Sequence, residues 1–141
     1  MKNQAEKYNL NLAGEYAVSS ELAKRNIQFN LTLGNKKAVD IIVLKEENKA
    51  ITIEIKTTNK NRIVTGFFQK YKTPDVPHPG IWIFVIIDKL LVSRFFILTH
   101  KEVAKIQMKR NNMNKWQEIK NGVDNLVLSD IIDFENKWNK I

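Results

Sequence analysis

Three residues stand where their types and spacing could hold a metal ion beside a cation. Glu54 and Lys56 lie two apart in ITIEIKTT (51–58). Isoleucine at 51, 53 and 55 marks that stretch as a β-strand, so Thr52, Glu54, Lys56 and Thr58 share its other face. Asp40 stands upstream, where GNKKAV (34–39) gives way to the apolar run Ile41-Ile42-Val43-Leu44. A strand with neighbours on both sides encloses its polar face. A buried carboxylate is costly there unless it is paired or bound to a metal. With a turn at 45–50, the far ends of the two strands lie side by side, so Asp40 and Glu54 project to the same side at the same end of the sheet. Two carboxylates converging there form a hard-oxygen site suited to Mg2+ or Mn2+. Lys56, one pleat further along, points to the same pocket.

The elements that must position these groups can be read from periodicity. Residues 5–25 place Leu12, Tyr16, Ala17, Leu22 and Ala23 at helical spacing and end in basic residues, which predicts an amphipathic helix stopped at Asn26. IQFNLTL (27–33), AVDIIVL (38–44) and ITIEIKTT alternate as strands, with turns at 34–37 and 45–50, which predicts an antiparallel meander over 27–58. NKNRIVTGFFQKYKTPDVPHPG (59–80) reads as loop towards its end, where three prolines and Gly80 cluster. IWIFVIID (81–88) and SRFFILT (93–99) read as interior strands joined by DKLLV. His100 to about Asn112 reads as a helix capped by Thr99 with Glu102 three residues on. From Ser129 a short last helix is expected, capped by Ser129, with Asp130 and Asp133 near its positive end. The order predicts an α/β chain whose mixed sheet of about five strands is flanked by helices.

Composition narrows the chemistry. A chain of 141 residues predicts one domain, 1–141, with a sizeable core. There is no cysteine, which excludes disulfides, thiolate zinc sites and a cysteine nucleophile. The two histidines, His78 and His100, are isolated from one another in sequence, which argues against a histidine metal site. MKNQAEKYNLNL has no apolar signal-peptide core, and IWIFVII is too short to cross a bilayer. The expectation is a soluble, cytoplasmic protein without a membrane partner. The net charge of +8 is segmented: Lys56 to Lys72 holds five basic residues and no acid, whereas the last twenty residues are net acidic. A segmented basic excess suits a polyanion, because Lys and Arg release counterions from phosphates. Lys36 and Lys37 precede Asp40, and Lys60, Arg62, Lys70 and Lys72 are interleaved with Phe67, Phe68 and Tyr71; these six basic residues are the candidate nucleic-acid contacts.

An acid opening one strand and acid-x-Lys on the next, here Asp40 and then Glu54-Ile55-Lys56, resembles the PD-(D/E)XK phosphodiesterases, with Val39 in place of the usual proline. GEYAVSSELAKRNIQFNLTLGNKKAVDIIV followed by ITIEIKTT resembles the archaeal Holliday junction resolvase and Mrr-like branch. There a helical glutamate precedes the core strands, and Glu15 in AGEYAV matches it. The similarity covers residues 10–60, while 81–98 fit the remaining core strands by pattern alone. The resemblance implies a restriction-endonuclease-like core and a divalent-metal-dependent endonuclease, Holliday junction resolvase-like or restriction-like, acting on branched or duplex DNA as a homodimer and nucleoid-associated when bound. It implies that Asp40, Glu54 and the Ile55 backbone carbonyl ligate Mg2+ or Mn2+. Glu15 completes the shell directly or through water, and Lys56 positions or helps deprotonate the attacking water.

Each of these residues also has a plainer reading. Glu54 and Lys56 can form a salt bridge on an exposed sheet face, Asp40 can be a turn residue, and Glu15 a solvated helix glutamate. Lys36 and Lys37 can be hairpin solubilisers, and Phe67 and Phe68 can belong to the core rather than to a stacking surface. Thr58 and Gln69 are weaker candidates near the site. Trp116, Trp138, His78 and His100 read as packing residues. The alternative function is a catalytically silent nucleic-acid-binding module on the same fold.

Overall fold

The alternating isoleucines of ITIEIKTT lie in the middle strand of a five-stranded sheet. The computed structural model describes residues 2–32, 40–71, 73, 75–115 and 122–141. In chain order the helices and strands are α1 (Gln4–Lys24), β1 (Phe29–Leu31), β2 (Ile41–Leu44), β3 (Ala50–Thr58), β4 (Arg62–Val64), α2 (Phe67–Lys70), β5 (Ile81–Ile87), β6 (Ser93–Thr99), α3 (His100–Arg110), β7 (Asn125–Val127) and α4 (Leu128–Ile131). The main sheet runs β1-β2-β3-β5-β6, and β4 pairs with β7 in a separate two-stranded sheet. Only β3 and β5 are parallel; the other pairs are antiparallel, so the main sheet is mixed. This is the α/β architecture, a five-stranded mixed sheet flanked by helices, that the element order predicts.

Both faces of the sheet are covered, which explains the near-continuous apolar runs of β5 and β6. Ile81, Ile83 and Val85 pack with Ile53 and Ile55 against Val18 and Leu22 of α1. Trp82, Phe84 and Ile86 turn the other way, onto Phe67, Phe68 and Tyr71 around α2 and Val103 of α3. On β3 the same alternation sends Ile53 and Ile55 towards α1 and Glu54 towards α2. The carboxylate therefore enters an enclosed layer, not a wet one.

Helix α1 opens with Asn3, whose side-chain oxygen accepts from the Glu6 N–H at 2.8 Å. It lies unusually close to β3 at one point. A Cβ at Gly14 would overlap Thr57 Oγ1 and stand 2.8 Å from Thr57 Cβ, so only glycine permits this approach. Helix α3 begins with the expected capping box. Thr99 Oγ1 accepts from Glu102 N at 3.2 Å, and Glu102 Oε1 accepts from Thr99 N at 2.9 Å.

Several boundaries differ from the periodicity. The strand expected over 27–33 is reduced to Phe29–Leu31, and 33–39 lie outside the described residues. The loop-like stretch after Thr58 contains β4 and α2. Elements of three and four residues are too short to show a period, and β4 finds its partner some sixty positions away, in β7. Ser129 is not the cap of the last helix. Helix α4 already includes Leu128, and its start is tied by Asp130 Oδ2 accepting from Val127 N at 2.9 Å. Among the described residues, no helix is long and apolar enough to cross a membrane.

Candidate active site

The register of the central strands creates the site. Strand β2 pairs with β3 only from Ala50 to Ile53, whereas β5 pairs with it from Ile53 to Thr58. Beyond Ile53, therefore, β3 has an edge to which no described strand is hydrogen-bonded. Asp40 stands where β2 gives out. Its backbone N–H donates to Ile53 O at 3.0 Å, and its C=O accepts from Thr32 N at 2.9 Å. Its carboxylate then does what the next residue of a longer β2 would have done: Oδ2 accepts from the Ile55 N–H at 2.6 Å. The Ile55 carbonyl shares that edge, because the N–H and C=O of one strand residue point the same way. Asp40 is 8% exposed and Glu54 6%.

Glu54 reaches into the layer between β3 and α2. Its Oε1 is 2.7 Å from Lys70 Nζ and 3.4 Å from Lys56 Nζ, and its Oε2 accepts from the Tyr71 hydroxyl at 3.1 Å. The buried carboxylate thus has two ammonium neighbours and a phenol donor, as burial of a charge requires. An exposed salt bridge on a solvated sheet face does not describe this arrangement. Burial raises the Tyr71 phenol above its ordinary range, and the Glu54 charge, the hydrogen bond to Glu54 and the Asp40 charge push it in the same direction. Asp40 bonds to the N–H of the residue that follows Glu54, so the two acids flank a common stretch of β3.

Helix α1 brings Glu15 to this end of the sheet. Its neighbour Gly14 rests on Thr57, and Glu15 is 6% exposed. Glu15 is thus a buried glutamate rather than a solvated one. Among the described residues, no three His, Cys, Asp or Glu side chains form a group that could hold a metal ion. A divalent ion here would have two carboxylates, Asp40 and Glu54, and would take its remaining oxygens from main chain and water. The donor set fits Mg2+ or Mn2+ in kind: hard carboxylate oxygens and a main-chain carbonyl on an edge to which no described strand is bonded.

The basic candidates divide. Lys36, Lys37 and Lys72 lie outside the described residues. Lys60 and Arg62 are exposed just after β3, where Thr58 Oγ1 shapes the turn by accepting from Lys60 N at 3.1 Å and donating to Arg62 O at 3.1 Å. Lys70 is engaged by Glu54. Phe67 and Phe68 are buried with Trp82, so the core reading of these rings holds and the stacking surface does not. Gln69 is exposed. Trp138 packs in the core beneath Arg25, whose guanidinium lies 4.5 Å from the indole, and Trp116 lies outside the described residues. His100 accepts from Trp82 Nε1 at 3.1 Å and stacks on His78 at 3.7 Å. Burial, with His78 beside it, lowers its pKa to about 4. Sequence reasoning missed Lys70 and Tyr71 as the partners of Glu54; a four-residue helix sixteen positions away leaves no periodic signal of that meeting.

No family model matches the chain, and comparison with curated proteins finds no match. Among solved structures its fold is similar to that of a bacterial homing endonuclease, I-Ssp6803I, with a TM-score of 0.54. The two are 9% identical, and the match covers 95% of this chain and 90% of the other. At that identity the likeness is one of fold. The chain has a fold that a nuclease also has.

Proposed function

We propose that this chain is a divalent-metal-dependent endonuclease that hydrolyses DNA phosphodiester bonds, of the PD-(D/E)XK kind and Holliday junction resolvase-like or restriction-like in substrate. The observation that carries the reading is the Asp40 carboxylate bonded to the N–H of Ile55, the residue between Glu54 and Lys56, on the open edge of β3. In this reading Asp40, Glu54 and the Ile55 carbonyl hold Mg2+ or Mn2+, with Glu15 reaching it through water. The bound ion supplies an acidified water and neutralises charge on the phosphate. Lys56, with its side chain 27% exposed, is placed to donate to that water or to a phosphate oxygen. Tyr71 and Lys70 hold the Glu54 carboxylate in one orientation. Hydrolysis joins the water oxygen to phosphorus and breaks the bond to one ester oxygen, which leaves with a proton. A symmetric dimer would present two such sites to a two-stranded substrate.

The test is incubation of branched and plasmid DNA with the protein and Mg2+ or Mn2+, beside Asp40→Ala and Glu54→Ala. Cleavage that persists unchanged in both variants rules out the site. Lys56→Ala should keep Mn2+ and lose about 10²–10⁴-fold in turnover, as for removal of a proton-transfer group.

A second reading is favoured by the engagement of both Glu54 oxygens: a nucleic-acid-binding module in which Lys70 takes the place of the ion. DNA binding that is tight and salt-sensitive, with no cleavage in any divalent metal, would select it. Under the endonuclease reading, Lys70→Ala should bind Mn2+ more tightly, by up to about fivefold, because a half-exposed ammonium competitor has been removed.

A further inference from the structure

A second feature adjoins the candidate site and belongs to none of the residues that would hold metal. Between the first turns of α1 and the segment running from the end of β3 into β4 lies a cavity of about 370 Å³. Four cationic residues line it, Lys2 and Lys7 from the start of the chain and Lys56 and Arg62 from the β3 and β4 strands, together with Asn11 and Thr58. No carboxylate is among its described lining residues. These positions are some fifty residues apart in sequence and meet only through the packing of α1 on β3. They surround a concavity, whereas a merely solvated basic face spreads its charges apart over a convex surface. Lys56 is offset by Glu54 and Lys2 Nζ donates to Asn59 Oδ1, but Lys7 and Arg62 add two further cations to the same lining, and an anion between them relieves their mutual repulsion. Lys56 joins the two places, since it lines the cavity and also stands 3.4 Å from Glu54 Oε1. Along α1, Lys7 and Asn11 are eight and four residues before Glu15, so one helix stripe passes from the cavity to the buried glutamate.

We infer that this cavity is a subsite for one phosphate of the nucleic-acid backbone, the neighbour of the phosphate presented to Asp40 and Glu54. This rests on the endonuclease reading and adds to it a fixed path for the strand: along the α1 side of the open β3 edge, with Lys7 and Arg62 as its two clamps. Lys56 then touches both phosphates. The contact is to backbone alone, so the subsite orders the substrate without reading its sequence.

The experiment measures duplex DNA binding by the full chain across a salt series, in chelator and without divalent ions. Lys7→Ala/Arg62→Ala is compared with Lys105→Ala, an exposed lysine on α3 outside the cavity. The inference expects the double variant to lose about 0.9 from the slope of log affinity against log salt, the value for one phosphate, and about tenfold in affinity at 0.1 M salt. Each single variant should lose most of that amount, because both residues hold the same phosphate. Lys105→Ala should keep the wild-type slope. An unchanged slope in the double variant, or an equal loss in Lys105→Ala, overturns the subsite while wild-type binding and Asp40-dependent cleavage leave the endonuclease reading standing. Absence of wild-type DNA binding at low salt overturns both.

Discussion

The bond from Ile55 N–H to Asp40 allows the structural and chemical roles of one carboxylate to be separated. At 2.6 Å it is a charge-assisted bond in a buried setting. Asp40→Asn keeps an oxygen acceptor of the same shape and removes the charge. Asp40→Ala removes the acceptor and leaves the Ile55 N–H without its partner on an edge where no described strand can take over. Both variants relieve repulsion between the Asp40 and Glu54 carboxylates, so the difference between them isolates the bond. A buried donor left unsatisfied costs about 1–3 kcal/mol, so Ala should be less stable than Asn by about 1–2 kcal/mol. For a chain of 141 residues, with unfolding entropy near 2.1 cal/mol/K per residue, each kcal/mol shifts Tm by about 3 °C. The expected gap is therefore about 3–6 °C, measured by thermal unfolding in chelator. Mn2+ titration should give the opposite pattern, with the stabilisation that the ion gives the wild type lost in Asn and Ala alike. Equal Tm values for the two variants would refute the structural role. Full Mn2+ stabilisation of Asp40→Asn would refute the chemical one.

Tyr71→Phe removes the donor to Glu54 Oε2 and should cost about 1.5–3 kcal/mol in urea unfolding, as for a bond to a charged group. Because the Tyr71 phenol is raised in the folded state, its contribution is complete below the unfolded tyrosine value near 10 and fades as pH rises past it. A wild-type minus Tyr71→Phe difference titration at 295 nm should accordingly show no step near pH 10. For His100 the sign is reversed. Its pKa is lowered to about 4, so its contribution is complete above about 6.5 and is lost as pH falls from there to 4. Allowing for its partial exposure, the loss should be about 1–2 kcal/mol between pH 7 and pH 4.5, and His100→Phe should flatten that part of the profile. Gly14→Ala forces α1 away from Thr57 and should destabilise by about 1–3 kcal/mol, read as a lower denaturation midpoint. If the variant cleaves DNA at the wild-type rate, Glu15 has no need of that close approach.

The sequence by itself determined the central strands β3, β5 and β6, their faces and the acids. Alternation in 51–58 puts Glu54 and Lys56 opposite the isoleucines, and the unbroken apolar runs at 81–87 and 95–98 require a sheet covered on both sides. Thr99 and Glu102 mark a helix start by local hydrogen bonds alone. These features are periodic or local, and a chain carries such information in consecutive residues. Only the tertiary structure decided what the acids face. The early end of β2 pairing leaves the Ile55 N–H for Asp40, Lys70 and Tyr71 close on Glu54 from a helix too short to show a period, and Gly14 reveals its purpose only against Thr57. Lys2 and Lys7 meet Lys56 and Arg62 through packing alone. Contacts between distant segments depend on register and on the direction in which layers stack, and no single stretch of sequence encodes either one.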